Sequence, residues 1–368
     1  MSVEITSPRY HGDVAAEHAR LDFAVNIHGP TPQWLRDHLS SRLDSCLAAY
    51  PTAAAERRAV RAVADMHGID GASVCLVAGA SEAFSLLAGM GCAAADLVHP
   101  SFTEPDVVLT ATGCDIRRIV LGGDFGLDDV VAVDGRPAAG GVIDHVRPGS
   151  VVVVGNPTNP TAVVHRGDDV AALVGDNRTV VVDEAFMDVC GDRQSLVARA
   201  ATTPGLVVVR SLTKTWALAG LRVGYVVAEP GFIARLTTTR RHWPLASLQL
   251  AAITAVADNA ATYLPAIQHT LATRRAAMVR ALAAAGFTVS GPERPAPFVL
   301  VRPPGDADML YRLLAADGIA VRSCASFPGL DGSFWRLAVR DAASVAELVD
   351  AVQRAGETIG RGAPGRGR

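Results

Sequence analysis

The sequence VVVVGNP at residues 151–157 places four consecutive valines directly before a glycine, an asparagine and a proline. A run that is apolar and β-branched at every position favours a strand buried on both faces. Five more short runs share this character: SVCLVAG at 73–79, DLVHP at 96–100, TVVVDEA at 179–185, LVVVRS at 206–211 and RVGYVVA at 222–228. Because helical stretches alternate with these runs, we expect an α/β fold with a large domain built on a mostly parallel central sheet.

Length, composition and charge exclude several classes of protein. The chain has 368 residues, 49% of them hydrophobic, and a formal net charge of −3, which offers no basic face to a nucleic acid. The N-terminal residues lack the pattern of a signal peptide, and we expect no membrane span. Six cysteines without a Cys-x-x-Cys pair predict reduced thiols and no metal site. These features predict a soluble, cytoplasmic protein.

The organisation of the chain suggests two domains and a tail. Residues 1–50 are expected to form an N-terminal arm and part of a small domain, and residues 51–262 the large domain. Residues 263–356 change to a smaller α+β pattern, with a helix near 265–286. The last residues, 357–368, are rich in glycine and arginine and are expected to be disordered.

Polar groups follow the predicted strands where ligands bind in α/β sheets. In AGASEAF at 78–84, the backbone N–H groups of Ala80 and Ser81 open a helix and suit an anion, although this motif taken alone favours an ordinary capped turn. In NPTNPT at 156–161, Asn159 belongs either to an ordinary turn or to a ligand-binding site. Asp183 ends a fully apolar strand, so it either caps a helix or meets a cationic partner.

The stretch RSLTKTWALAGLRVGY at 210–225 contains Lys214 shortly after a predicted strand, with Ser211 before it and Arg222 eight residues beyond it. A solvated lysine is the ordinary alternative. Taken together, however, the amine, carboxylate, asparagine, hydroxyl, arginine and helix start are the set that pyridoxal 5′-phosphate requires. Its aldehyde forms a Schiff base with lysine, its ring nitrogen needs a carboxylate, and its phosphate needs cations and N–H donors.

The order of the motifs GASE, NPTNPT, VVDEAF, SLTK and GLRVGY resembles that of the fold-type-I, aspartate-aminotransferase-like pyridoxal-phosphate enzymes. This resemblance covers nearly the whole chain apart from the tail. It implies that Lys214 bonds the cofactor aldehyde, Asp183 pairs with the ring nitrogen and Asn159 donates to the 3-oxygen. It implies a phosphate site made by Ser211, Arg222 and the backbone of Ala80 and Ser81. Tyr50 matches a tyrosine that reaches the neighbouring subunit's cofactor phosphate, which implies a homodimer with shared active sites.

The ends of the chain narrow the resemblance. The segments YHGD at 10–13, LDFAVNIHGP at 21–30 and VRSCASFPGLDGSFWRLAVR at 321–340 resemble the threonine-phosphate decarboxylases of cobalamin biosynthesis, relatives of histidinol-phosphate aminotransferases. The resemblance implies that a small phosphorylated amino acid is bound by these residues: His11, Gly12, Asn26, Asn159, Arg322 and Arg336. Considered without the family, Arg336 could be an exposed strand residue and His11 part of a loose arm.

Some residues depart from the family pattern. Pro105 stands about where relatives carry an aromatic residue that stacks on the cofactor ring, and Phe102 is a candidate to replace it. Phe186 replaces a tyrosine of aminotransferases, as in the decarboxylases. Ala162 and the segment NIHGP also differ from the usual residues. These departures concern the substrate more than the cofactor.

The leading hypothesis is therefore decarboxylation of L-threonine O-3-phosphate to (R)-1-aminopropan-2-yl phosphate. The alternative is an aminotransferase acting on a phosphorylated substrate such as histidinol phosphate. A third hypothesis, a cofactor-binding regulator without activity, has less support because the lysine is present. The cofactor's electron sink serves either reaction, and the pose of the substrate selects the bond that breaks.

Overall fold

A nine-stranded sheet, a four-stranded sheet, a two-stranded sheet and the helices that cover them form the molecule in the computed structural model, which describes residues 4–362. The strands are β1 (Leu21–Asp22), β2 (Val74–Val77), β3 (Ala94–His99), β4 (Asp115–Leu121), β5 (Val130–Val133), β6 (Arg136–Pro137), β7 (Val151–Gly155), β8 (Thr179–Asp183), β9 (Leu206–Ser211), β10 (Gly224–Val227), β11 (Thr288–Ser290), β12 (Phe298–Arg302), β13 (Ile319–Ala320), β14 (Arg322–Ser323) and β15 (Trp335–Ala338).

The α-helices vary from one turn to ten. They are α1 (Gly12–Ala16), α2 (Gln33–Ser41), α3 (Leu43–Leu47), α4 (Ala53–His67), α5 (Ala80–Gly89), α6 (Glu104–Ala111), α7 (Gly167–Ala171), α8 (Val197–Ala200), α9 (Pro230–Thr237), α10 (Ser247–Ala284), α11 (Ala307–Ala316) and α12 (Ala342–Gly362). Three short 3₁₀ helices cover Gly71–Ser73, Val142–Asp144 and Met187–Cys190.

The large sheet has nine strands in the order β2-β10-β9-β8-β7-β3-β4-β5-β6. Its central strands β9, β8, β7, β3 and β4 are parallel, as expected from their apolar sequences. Successive valines of β8 enter different cores, because Val180 and Val182 pack on one face and Val181 on the other. All six predicted strands are present, and the α/β fold class is confirmed.

Strand β10 runs against its neighbours β9 and β2. Its first residue, Gly224, therefore pairs with Ser211, the last residue of β9. The carboxyl ends of β7, β8 and β9 consequently meet the beginning of β10 at one edge of the sheet, which brings residues far apart in sequence to a common place.

The smaller sheet has the order β11-β12-β15-β14 and shares one hydrophobic core with α10, α11 and α12. The N-terminal segment joins this part of the molecule, because β1 forms a parallel pair with β13. The antiparallel pairing of β14 and β15 places Arg322 directly opposite Arg336. This sheet therefore presents two arginines side by side.

Helix α10 corrects the expected helix near 265–286, because it begins at Ser247 and continues through Pro265 to Ala284. Its first half packs in the large core through Leu250 and Ile253, and its second half enters the small core through Met278 and Leu282. The division drawn between residues 262 and 263 therefore falls inside a helix that both cores share. By length and composition α10 could cross a membrane, but these contacts are those of a core helix.

The C-terminal helix also corrects an expectation. Helix α12 continues to Gly362, so residues 357–362 are helical where a disordered tail was expected. Its earlier turns bury Val345, Leu348 and Val352 in the small core, and this packing supports the helix. The remaining tail residues, 363–368, lie outside the described part of the chain.

Candidate active site

A cavity of about 430 Å³ opens at the edge of the large sheet where β8 and β9 end and β10 begins. The N-terminal segment and the small domain close its other side. The predicted site residues that line it are Lys214, Ala80, Ser81, Asn159, Asp183, Ser211, Arg222, His11, Gly12, Asn26, Arg322 and Arg336. Of the site residues predicted from the sequence, only Tyr50 lies elsewhere.

Lys214 lies in the turn that follows β9, and its side chain enters this cavity. Burial, followed by the charges of Arg336 and Arg222, lowers the pKa of its amine to about 8. Among residues 4–362, the amine has no carboxylate partner. At neutral pH, a larger share of the amine is therefore neutral and nucleophilic than in an ordinary lysine.

Asp183 is the last residue of β8, and its carboxylate accepts one hydrogen bond, from the backbone N–H of Ala185 at 3.0 Å. Burial raises the pKa of this carboxyl to about 6. In the described part of the chain, no cation pairs with it. A cationic N–H group bound in the cavity would pair with this desolvated carboxylate and stabilise its charge.

Helix α5 begins at Ala80 directly after β2, with its free N–H groups at the cavity. The N-cap residue Gly79 has φ +80°, and a Cβ atom there would lie 2.7 Å from a guanidinium nitrogen of Arg222. Glycine is therefore required for the arginine to lie against this turn. Ser211 adds a hydroxyl that is 2.6 Å from the hydroxyl of Thr213. The helix start, hydroxyls and guanidinium make a site suited to a phosphate.

Arg322 is 2% exposed and has no carboxylate partner among the described residues. Its guanidinium donates to the carbonyl of Tyr10 at 2.5 Å and to the hydroxyl of Ser326 at 2.6 Å. It also lies over the rings of Tyr10 and Phe327, at 4.9 and 4.8 Å from their centroids. Its position is thus fixed without neutralisation of its charge.

Arg336 is 6% exposed and donates to the side-chain oxygen of Asn159 at 2.9 Å. Its Nε atom is buried and has no partner among the described residues. Burial, followed by the charge of Arg322, lowers the pKa of Arg336 to about 9. Two buried guanidinium groups on facing strands repel each other, so the pair is suited to an anion that binds between them or beside them.

The N-terminal segment supplies the remaining predicted residues. His11 lines the cavity, and burial lowers the pKa of its imidazole. A Cβ atom on Gly12 would lie 2.7 Å from the carbonyl carbon of Ala24, so only glycine permits this close approach. Asn26 is buried, and its side-chain oxygen has no partner in the described residues. His11 and Asn26 therefore add polar side chains to the cavity that Lys214 enters.

Aromatic residues line the cavity beside the polar set. Phe102 faces the cavity and lies 5.5 Å from the ring of His11, whereas Pro105 is buried in α6 away from the cavity. Phe102 is therefore the aromatic residue placed to contact a bound ring. Phe186 lines the cavity and packs edge-on against Phe298.

Tyr50 lies outside the cavity. Its side chain is 73% exposed and stacks on Trp243, with 4.4 Å between ring centroids. This position agrees with a residue that serves a second subunit rather than its own, and that role stays a prediction.

Asp13, Thr213 and Phe327 are among the cavity residues to which the sequence assigned no role. Each lies within a quoted motif, because Asp13 ends YHGD, Thr213 precedes Lys214 and Phe327 follows the RSCA segment. The motifs indicated which segments lie near the site, but only the fold showed which of their side chains face the cavity.

A buried ion-pair network lies next to the site. Arg210, immediately before Ser211, is 1% exposed and binds Glu184 at 2.9 Å and Asp192 at 2.7 Å. It also donates to Asp188. Since Glu184 follows Asp183, this network connects the strand ends that carry the carboxylate and the lysine. The sequence alone gave no sign of it.

The polar residues of the cavity match the polar groups of pyridoxal 5′-phosphate. Lys214 provides a largely buried amine for the aldehyde, Asp183 a carboxylate without a cation for the ring nitrogen, and Arg222 with α5 a cradle for the phosphate. The fold and this cavity together define a pyridoxal-phosphate-dependent enzyme.

The chain belongs to the aminotransferase class I and II family, whose sequence profile matches residues 21–352. It is 42% identical over 339 residues to a histidinol-phosphate aminotransferase of Mycobacterium tuberculosis, an alignment that covers 91% of this chain and 88% of the relative. It is 29% identical over 342 residues to the threonine-phosphate decarboxylase of Salmonella typhimurium, with 90% of each chain covered.

Solved structures share the fold. The histidinol-phosphate aminotransferase of Sinorhizobium meliloti, in complex with pyridoxal 5′-phosphate, superposes with a TM-score of 0.81 at 18% identity and covers 95% of both chains. The threonine-phosphate decarboxylase of Porphyromonas gingivalis superposes with a TM-score of 0.76 at 21% identity and covers 91% of this chain and 99% of its own. At these identities the likeness concerns the fold.

Proposed function

We propose that this protein is a pyridoxal-phosphate-dependent aminotransferase that takes the amino group from a phosphorylated amine, with histidinol phosphate as the favoured donor. The observation that carries the proposal is the pair of buried arginines, Arg322 and Arg336, in the same cavity as Lys214. The relative at 42% identity supports transamination over decarboxylation. Transamination thus becomes the leading function and decarboxylation the second, whereas the motifs at the two ends of the chain favoured decarboxylation.

The arginine pair supports a substrate with a strongly anionic group. A phosphate dianion offers several oxygens to the two guanidinium groups and compensates the cost of burying them. The same pair suits the two carboxylates of 2-oxoglutarate as amino acceptor, so one anion site can serve both halves of a transamination.

The cofactor, when bound, supplies the electron sink for the bond that breaks at the substrate α-carbon. Lys214 is placed to remove the proton from this carbon and return it elsewhere, because a pKa of about 8 allows both states near neutral pH. With the cofactor bound, Asp183 would keep the ring nitrogen protonated. Asn159, whose side-chain oxygen accepts a hydrogen bond from Arg336, would donate through its amide N–H to the cofactor's 3-oxygen, beside the substrate.

The remaining assignments belong to the same proposal. His11, Gly12 and Asn26 close the substrate side of the cavity, while Ser211, Arg222 and the N–H groups of α5 hold the cofactor phosphate. The enzyme is proposed to act in the cytoplasm as a homodimer in which Tyr50 completes the partner's phosphate site.

Decarboxylation of L-threonine O-3-phosphate is the second candidate function. Phe186 favours it, because the phenol that aminotransferases place after the aspartate is absent, and the Salmonella relative has that activity by name. Threonine phosphate also has two anionic groups for the two arginines. The two reactions differ in which α-carbon bond is aligned for cleavage.

A paired assay of the holoenzyme decides between them. Histidinol phosphate with 2-oxoglutarate is scored for glutamate, and threonine phosphate is scored for CO₂. We expect glutamate to form, with little CO₂. Release of CO₂ without glutamate would replace the proposal by the second candidate, and the absence of both products would overturn both assignments. Lys214→Ala, which lacks the amine, is the control for non-enzymatic turnover.

A further inference from the structure

Two cysteines occupy equivalent positions in consecutive helix-strand units. Cys92 follows Gly91 between α5 and β3, and Cys114 follows Gly113 between α6 and β4. Both glycines have positive φ, +85° and +80°, and this turns the chain from the helix towards the strand. Because β3 and β4 are parallel neighbours with Ala94 opposite Asp115, the two turns lie side by side.

The two sulfur atoms are in direct contact, with 2.7 Å between Sγ of Cys92 and Sγ of Cys114. This separation is shorter than the ~3.5–4.0 Å at which non-bonded heavy atoms pack best. Neighbouring strands lie about 4.8 Å apart, within the Cα separation that a disulfide spans. No other pair of thiols in residues 4–362 is in contact.

We propose that Cys92 and Cys114 are a redox-modification site, a dithiol that closes reversibly to a disulfide between the beginnings of β3 and β4. The sequence predicts two separate reduced thiols, since no Cys-x-x-Cys spacing connects them. The fold, rather than the spacing in sequence, creates the site.

The order of events follows from burial. Cys92 is partly exposed, whereas Cys114 is 6% exposed. Burial and the adjacent Cys92 thiol raise the pKa of Cys114 to about 12. A small disulfide oxidant, such as oxidised glutathione, therefore meets Cys92 first.

Oxidation of the pair proceeds through two thiol–disulfide exchanges. The Cys92 thiolate attacks one sulfur of the oxidant, breaks its S–S bond and releases one thiol. Cys114 then loses its proton, attacks Sγ of Cys92 and displaces the second thiol. The protein loses two electrons and two protons, which the two released thiols carry away.

The site lies away from the active-site cavity. It is at the amino ends of β3 and β4, whereas Lys214 and Asp183 lie at the carboxyl ends of strands in the same sheet. Closure restricts the unfolded chain between residues 92 and 114 without moving the cavity. We expect the Tm to rise on the order of 5 °C, with turnover unchanged.

The test uses the holoenzyme with oxidised glutathione as the probe. Remaining thiols are alkylated, the protein is digested without reductant, and peptides are identified by mass spectrometry. We expect one linked peptide pair joining Cys92 to Cys114, lost after treatment with a reducing dithiol, together with the rise in Tm. Full alkylation of both cysteines, or a lasting glutathione adduct on Cys92 of the unaltered protein, would overturn the proposal.

Two variants keep the test independent of folding defects. Cys114→Ser should accumulate the glutathione adduct on Cys92 and lose the oxidant-dependent rise in Tm. Cys92→Ser changes the more exposed member, and should show neither the adduct at Cys114 nor the rise. Cys46→Ser, at an unpaired and partly exposed thiol, is the matched control and should behave as the unaltered protein.

Discussion

At the scale of single residues, the site is defined by charges that have no partner within the described chain. Arg322 and Arg336 face each other across β14 and β15, a placement that is unfavourable for a fold by itself. Asp183 has the opposite deficiency, a carboxylate without a cation. Such groups cost stability in the free protein, so their occurrence together indicates ligands of complementary charge.

Arg322 provides the first prediction. Removal of its guanidinium in Arg322→Ala should raise the KM for the phosphorylated substrate about a hundredfold, because a buried charge contact is worth about 2–5 kcal/mol. Steady-state kinetics measure this value. Arg302→Ala, which removes an exposed arginine of the same small domain, should leave the KM unchanged. An unaltered KM in Arg322→Ala, with the fold intact, would remove Arg322 from the substrate site.

The amine of Lys214 provides the second prediction. Only the neutral amine attacks the cofactor aldehyde, and with a pKa of about 8 about one amine in ten is neutral at pH 7. The rate at which apoprotein takes up the cofactor, followed by absorbance, should rise with pH and level off above about 8. Arg336→Met removes a charge that lowers this pKa, so its midpoint should move to higher pH. Equal midpoints in the two proteins would show that Arg336 does not act on the amine.

At the scale of elements, the sequence predicted where the buried strands lie but not which strands pair or in which direction. Runs such as VVVVGNP and TVVVDEA located β7 and β8, because full burial requires apolar residues at every position. The antiparallel direction of β10 has no local signal, yet it places Arg222 at the same edge as Lys214. Strands β4, β5 and β6 were not foreseen, because their sequences alternate less regularly and are less apolar.

The start of helix α5 provides the third prediction. In Gly79→Ala, the added Cβ would approach Arg222 to 2.7 Å and φ +80° would be strained, so the affinity for pyridoxal 5′-phosphate should fall at least tenfold. A titration of apoprotein with the cofactor measures this. Gly89→Ala, in the same helix, meets no atom within 4 Å and should bind normally. Equal affinities would show that the cradle tolerates displacement of Arg222.

The network between β8 and β9 provides the fourth prediction. Arg210→Met leaves Glu184 and Asp188 buried without their cation, which should lower the free energy of unfolding by about 3–5 kcal/mol. Denaturant titration of the apoprotein measures the change. Arg199→Ala removes an exposed pair with Asp168 and should change stability by less than about 1 kcal/mol. Similar losses in both variants would contradict a special role for the buried network.

At the scale of the whole molecule, the substrate side of the cavity depends on contacts between distant parts of the chain. Arg322 donates to the backbone of Tyr10, and Arg336 contacts Asn159. No periodicity or spacing connects such residues, so the sequence placed them together only through the resemblance to a family. Long-range packing also explains why α10 crosses the expected domain boundary, since one continuous helix serves two cores.

An exposed apolar surface on α3 and the turn after it is where the proposed second subunit would bind. Leu47 and Tyr50 are each 73% exposed, and Trp243, stacked on Tyr50, is 54% exposed. Grouped apolar side chains of this size are typical of protein interfaces. A homodimer formed here would bring Tyr50 of one subunit towards the other, which is the arrangement proposed for shared active sites.

Hybrid dimers provide the fifth prediction. Lys214→Ala lacks the proposed catalytic amine, and Tyr50→Ala lacks the proposed contribution to the partner's phosphate site, so each variant alone should be impaired. If the sites are shared, a hybrid dimer has one site with both defects and one site with neither. After subunit exchange of equal amounts, random pairing should restore about a quarter of the unaltered activity at limiting cofactor. If Tyr50 instead serves its own subunit, no site in the hybrid is intact, and mixing should restore nothing.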